Sequence, residues 1–281
     1  MGFKKTAVFI AAMITLVYSL GAAAGDNKTE QITASAADDH NCNSKQVLVF
    51  TEVDFCKSAE SKCDVFRPTS CLDYLVNGAS TCGIYRLYDN TGNSFPAYCD
   101  LKSEPGTAWT LVMSWSIQYR SLPAFKQTPF KIDAPVNENC HNWNLYRLSL
   151  ARMRSLQSHS THWRATCSYP THGVDFIDYV RGTFKDFNII DYLGRNQCKK
   201  VEYINIRGQT GIQKTVPFWQ GPRAKGEFLH TDSTYTTCEF NAKYGSVISE
   251  DNFGLYLYRN PAFRCTHDDT SSTQWWFGGH L

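Results

Sequence analysis

The sequence predicts an α+β fold in which β-structure dominates and disulfide bonds contribute. Three observations predict it. Short runs with period-two alternation of apolar and polar residues lie between Gly- and Asn-containing turns. Only two stretches carry helix-like spacing of apolar residues. Eleven cysteines, from Cys42 to Cys265, follow an apolar N-terminal segment that reads as an export signal. In an exported chain, disulfides are the default state of cysteine.

The elements follow in order. Lys4 and Lys5 precede the apolar and small-residue run Ala7 to Leu20, and Ala22-Ala23-Ala24 supplies the small residues of a cleavage site. Residues 1–24 therefore read as a cleaved signal. The alternative, an uncleaved anchor, needs roughly 20 apolar residues, and the run falls short. No later segment is apolar enough to span a bilayer. Residues 25–40 are polar and small, a disordered leader. They hold one glycosylation sequon, Asn27-Lys28-Thr29. Residues 41–66 form a Cys-bearing extension too short for its own core. Residues 67–281 form the main domain.

Within that domain, Leu72–Val76 reads as a short helix closed by Asn77-Gly78. Gly83–Tyr88 is a strand, residues 89–93 a turn, and Phe95–Cys99 a second strand. Pro105-Gly106 turns the chain before an apolar strand at Trp109–Met113. Trp143–Gln157 has helical spacing at Leu145, Leu148 and Leu156. His162–Tyr169, Lys200–Arg207 and Asn252–Arg259 read as strands.

Charge limits the partners. The formal net charge is +2, and losing the two signal lysines leaves zero. A neutral chain has no broad pull on nucleic acid or anionic lipid. Candidate chemistry is sparse. His159, His162 and Cys167 have zinc-compatible residue types, against the reading of a polar helix end and a bonded cysteine. Gly221 to Glu227 lacks the Lys-Ser/Thr of a phosphate loop. Cys167 with His172 has no surrounding context for a hydrolase. Glu250 and Asp251, with Asp268 and Asp269, are the acids available to calcium, which needs six to eight oxygens. Trp275-Trp276, followed by Phe277-Gly278-Gly279, is the candidate ligand contact, since flat aromatic faces pack on sugar C–H groups. The competing reading places both rings in the core.

Residues 70–113 carry a family pattern. Ser70-Cys71, Gly78, Gly83-Ile84-Tyr85, Tyr98-Cys99-Asp100 and Trp109-Thr110 fall in the order that opens a fibrinogen C-terminal-like domain. The helix and strand near residues 145–165 resemble that family more loosely, and Trp275-Trp276 looks like its tryptophan pair. The assembly also resembles secreted fibrinogen-related proteins of cnidarians, including components of coral skeletal matrices. The resemblance implies a Cys71–Cys99 disulfide, with Asp100 bonding the turn after it. A second pairing, Cys238 with Cys265, is also expected. The sequence departs from the family in three places. The glycine-rich turn is reduced to Gly106-Thr107-Ala108. Cys82 stands where serine is usual. The paired-aspartate calcium loop is not visible, so the C-terminal part is divergent or shortened.

These features lead to a secreted, non-catalytic protein of the extracellular matrix as the expectation. Its partners would be extracellular glycans or matrix proteins, with no nucleic acid, no membrane after signal cleavage and no cofactor unless calcium is bound. A structural matrix component and an unrecognised secreted enzyme are the alternatives. The odd cysteine count leaves a thiol for a disulfide-linked homo-oligomer, with Cys82 the first suspect.

Overall fold

The computed structural model describes residues 54–55, 64–221, 226–232, 237–245 and 250–281. The signal segment, the leader and Asn27 lie outside the described residues. Of the extension, a two-strand pairing of β1 (Asp54–Phe55) with β2 (Asp64–Val65) is described. The main domain opens with α1 (Cys71–Val76), β3 (Gly83–Tyr88), β4 (Ser94–Asp100) and β5 (Thr107–Ser116). Then come α2 (Pro123–Lys126), β6 (Leu145–Arg147), α3 (Leu150–Ser158), β7 (His162–Cys167), α4 (Tyr169–His172) and β8 (Tyr179–Thr183). The chain ends with β9 (Gly194–Ile206), β10 (Gln209–Gln220), β11 (Thr231–Asp232), β12 (Asp251–Asn252) and β13 (Ser272–His280).

Nine strands build one antiparallel sheet, eight of them in the order β10-β9-β8-β7-β13-β5-β4-β3 and the ninth, β6, off that path beside β5. The last strand sits at its centre. One edge of β5 pairs with β13 along its whole length. The other edge is shared: β4 pairs at Trp109 and Thr110, and β6 at Met113 to Trp115. All ten residues of β5 and all but the last of β13 are buried. Both faces of the central pair are therefore covered, which gives near-continuous apolar runs.

Local chemistry sets the element ends. Asp73 reaches back to accept the backbone N–H groups of Thr69 (2.7 Å) and Ser70 (3.0 Å), fixing the start of α1. Gly78, at φ 88°, closes its far end. The expected helix at Trp143–Gln157 begins only at Leu150. Residues 145–147 are drawn into the sheet as β6, where the buried Arg147 guanidinium donates to the carbonyls of Ala124, Thr128, Pro129 and Ile132. Two acids from the preceding loop then cap α3. Asp133 accepts from Leu150 N (2.7 Å) and Glu138 from Ser149 N (2.9 Å).

The expected strand Asn252–Arg259 is also corrected. Only Asp251–Asn252 pairs, with β11. Phe253 has φ 67°, and a Cβ on Gly254 would lie 1.8 Å from the Leu229 carbonyl oxygen. The chain turns away there. Residues 252–256 are buried as a block and 257–259 exposed as a block, so side chains do not alternate between faces.

Among the described residues three disulfides tie the domain. Cys71–Cys99 joins α1 to β4 with a separation of 28 residues. Cys167–Cys265 joins β7 to the loop before β13, and Cys198–Cys238 joins β9 to the loop after β11. The expected Cys238–Cys265 bond is therefore not formed. Cys265 lies against β7, where its sulfur contacts the Thr166 carbonyl, while Cys238 is carried beside the β9–β10 hairpin by the Phe240 N to Thr215 O hydrogen bond. Cys140 is disulfide-bonded as well.

Candidate functional site

The sequence candidates are placed first. Trp275 and Trp276 are fully buried. Neighbouring strand residues face opposite sides of a sheet, so each ring fills a different half of the core. Trp275 donates its indole N–H to the Phe253 carbonyl (3.1 Å), and Trp276 donates to Thr166 Oγ1 (3.0 Å). Neither presents a face to a ligand. Gly278 and Gly279 leave no opening either. A Cβ on them would meet the Ala108 carbonyl oxygen at 2.0 Å and Thr161 Oγ1 at 2.3 Å.

Glu250 and Asp251 do not converge on a common point. Glu250 takes Arg207 (3.2 Å) and the Asn260 amide, while Asp251 lies 3.6 Å from His230. Asp268 accepts from its own loop at Thr270 and Ser271, and Asp269 pairs with Arg259. Cys167 is bonded to Cys265, which removes it both from a zinc set with His159 and His162 and from a hydrolase with His172. Gly221 N donates to the Glu227 carbonyl (2.7 Å), and residues 222–225 lie outside those described.

The structure instead brings together charged groups that no short motif announces. Arg164 on β7 is wholly buried between two indoles, its guanidinium carbon 4.5 Å from the Trp109 ring and 4.9 Å from the Trp276 ring. It donates to Asp100 (2.5 Å) and to Glu104 (2.6 Å). Glu104 also accepts from the Tyr179 hydroxyl (2.7 Å) and from Arg181 (2.6 Å). Arg181 donates in turn to Glu202 (3.0 Å), and the other oxygen of Glu202 lies 3.3 Å from His162 Nε2. This ladder runs from the buried end of β4 and the turn after it, through β7, to the partly exposed side chains of β8 and β9.

Burial pushes the Asp100 carboxyl up, and the Arg164 charge and hydrogen bond more than reverse that, holding it at about 2. Burial likewise disfavours the Arg164 cation, but Asp100 and Glu104 raise its pKa above the ordinary value. Asp100 also accepts from the backbone N–H groups of Lys102 and Ser103, so the acid next to Cys99 does bond the turn after it. What sequence reasoning missed is its cation, 64 residues away.

Cys82 is the one free cysteine among the described residues and is half-buried. Its thiol donates to Asp100 Oδ1 (3.2 Å). Burial, then the Asp100 charge, raises its pKa. A thiol is a poor nucleophile until ionised. Cys82 is thus expected to react with iodoacetamide at neutral pH more slowly than free cysteine, and about as fast once the protein is denatured. Equal rates in the native and denatured protein would contradict the placement.

No helix among the described residues is long and apolar enough to cross a membrane, and the disulfides fit an extracellular protein. No family model and no curated protein matches the chain.

Proposed function

We propose that this is a secreted, non-catalytic matrix or recognition protein, binding extracellular glycans or other matrix proteins through a divergent fibrinogen C-terminal-like domain. One observation carries the reading. The C-terminal half holds long non-repetitive segments with outward aromatic rings, fastened to the sheet by covalent bonds. Tyr244 is 77 % exposed and Tyr258 75 %. Cys198–Cys238 anchors the segment before Tyr244, and Cys167–Cys265 anchors the one after Tyr258. A tethered loop loses little further freedom when it binds, and tyrosine offers a flat apolar face with a polar tip. The buried tryptophan pair is excluded from this role, so contact passes to these loops.

The second reading is a structural matrix component without a small ligand, favoured by the number of covalent ties in one domain. A glycan array, run with and without chelator, separates the two. Retention of one glycan class, weakened several-fold in Tyr258→Ala or Tyr244→Ala, supports recognition. An array with no glycan above background in either condition removes glycan binding and leaves the structural role.

A further inference from the structure

We propose that His141 makes the loop of residues 137–144 an acid-sensitive clasp, seated on aromatic rings of β4 and β6 near neutral pH and loosened when the imidazole takes up a proton. The starting point is an imidazole without a partner. Both ring nitrogens are buried, and neither has a hydrogen-bond partner among the described residues. Aromatic rings enclose it instead. Tyr98 of β4 stacks on it at 5.2 Å, Trp143 meets it edge-on at 4.4 Å, and Tyr146 of β6 lies at 5.9 Å. The Tyr146 hydroxyl is buried without a partner as well.

No acid among the described residues is placed to hold a positive charge in this seat. The groups that face the ring from β4 and β6 are the phenols of Tyr98 and Tyr146. Glu138, on the same loop, is taken by Arg152 (3.2 Å) and by Ser149 N (2.9 Å). Asp100, two residues beyond Tyr98, is held by Arg164 (2.5 Å). Arg147, beside Tyr146, is turned to its four carbonyls. Burial is the one cause acting on the ring, and it lowers the pKa from the ordinary 6.5 to about 3. The folded value lies below the unfolded one, so the opened loop binds the proton first. The seat is at full strength above about pH 6.5 and weakens about tenfold per pH unit below that, toward about pH 3.

The ends of the loop are fastened. Val136 and Arg147 exchange two backbone hydrogen bonds of 2.8 Å, and the Asn144 carbonyl accepts from Ser116 N (3.0 Å). Between those ties the Cys140 N–H donates to the Asn137 carbonyl (2.9 Å). A proton on His141 therefore loosens the segment between the ties and leaves the sheet in place. What the segment covers is aromatic. Trp143 packs on Tyr98 (4.8 Å), Tyr169 (5.5 Å) and Trp276 (6.2 Å). In mild acid the outer rings of this cluster lose their cover.

The test is hydrogen exchange with mass spectrometry on the full chain, read on peptides spanning residues 136–147. It compares about pH 7.5 with about pH 5, corrected for the intrinsic pH dependence of amide exchange. The opening constant of the parent should rise about thirtyfold between the two. His141→Phe keeps a flat ring and cannot take up a proton, so its rise should be smaller by about tenfold or more. An excess of the parent over the variant of less than about tenfold overturns the proposal. If His141→Phe does not fold, proton NMR titration of His141 in the parent decides. A midpoint more than about one unit below 6.5 supports the clasp, and a midpoint closer to 6.5 than that overturns it.

Discussion

Replacing Arg164 by methionine is expected to destabilise the domain by about 3–5 kcal/mol, because it leaves the buried Asp100 carboxylate without a cation and takes one of two from Glu104. Methionine fills the slot between Trp109 and Trp276 but carries no charge for Asp100 or Glu104. Glu104 keeps Tyr179 and Arg181, so most of the loss falls on Asp100. In the native protein Asp100 titrates near 2, below an unfolded value of about 4. Its folded pKa is depressed, so the stability it contributes is complete above about pH 4 and is lost as pH falls through 2. Arg164→Met should remove that contribution and raise the pH of acid unfolding. Adding Asp100→Asn to Arg164→Met should recover part of the loss, since the stranded charge is gone. Denaturant titration measures both variants. A stability within about 1 kcal/mol of the parent for Arg164→Met would contradict the ladder.

The second large effect concerns Cys167–Cys265. It closes a separation of 98 residues, against 40 for Cys198–Cys238 and 28 for Cys71–Cys99. The chain-entropy argument assigns about 4–5 kcal/mol to the first and about 3–4 kcal/mol to each of the others. Its position adds to the effect, because it holds the loop that delivers β13 to the centre of the sheet. The Cys167→Ser, Cys265→Ser double variant should therefore show the greatest fall in melting temperature of the three paired-cysteine variants. A smaller fall than for Cys71→Ser, Cys99→Ser would show that β13 docks without that tie.

The stretch from Ser70 to Ser116 was legible in the sequence because its information is local. Helix α1 and strands β3, β4 and β5 lie within a residue or three of their expected ends, set by Gly78, the turn at 89–93 and Gly106. Strand β9 was read only from Lys200, and β10 was missed. The turn joining them, Arg207-Gly208, has both residues at positive φ, a hairpin geometry more often announced by Asn-Gly. Leu145–Arg147 carried helical spacing, yet the free edge of β5 and the carbonyl cage around Arg147 took those residues into the sheet. Trp275 and Trp276, toward the C-terminal end, were candidates on residue type, as flat aromatic faces followed by Gly278 and Gly279. In the fold that end is the centre of the sheet, covered on both faces. The ion ladder was illegible for a related reason. Asp100, Arg164, Arg181 and Glu202 lie on different strands, and no spacing in the sequence records which strands become neighbours.

The most direct test of this account is a disulfide map of the full chain by peptide mass spectrometry, alkylating free thiols after denaturation. The account predicts peptides linking Cys71 to Cys99, Cys167 to Cys265 and Cys198 to Cys238, with Cys82 recovered alkylated. A peptide linking Cys238 to Cys265, or Cys82 bonded to any partner, would contradict it.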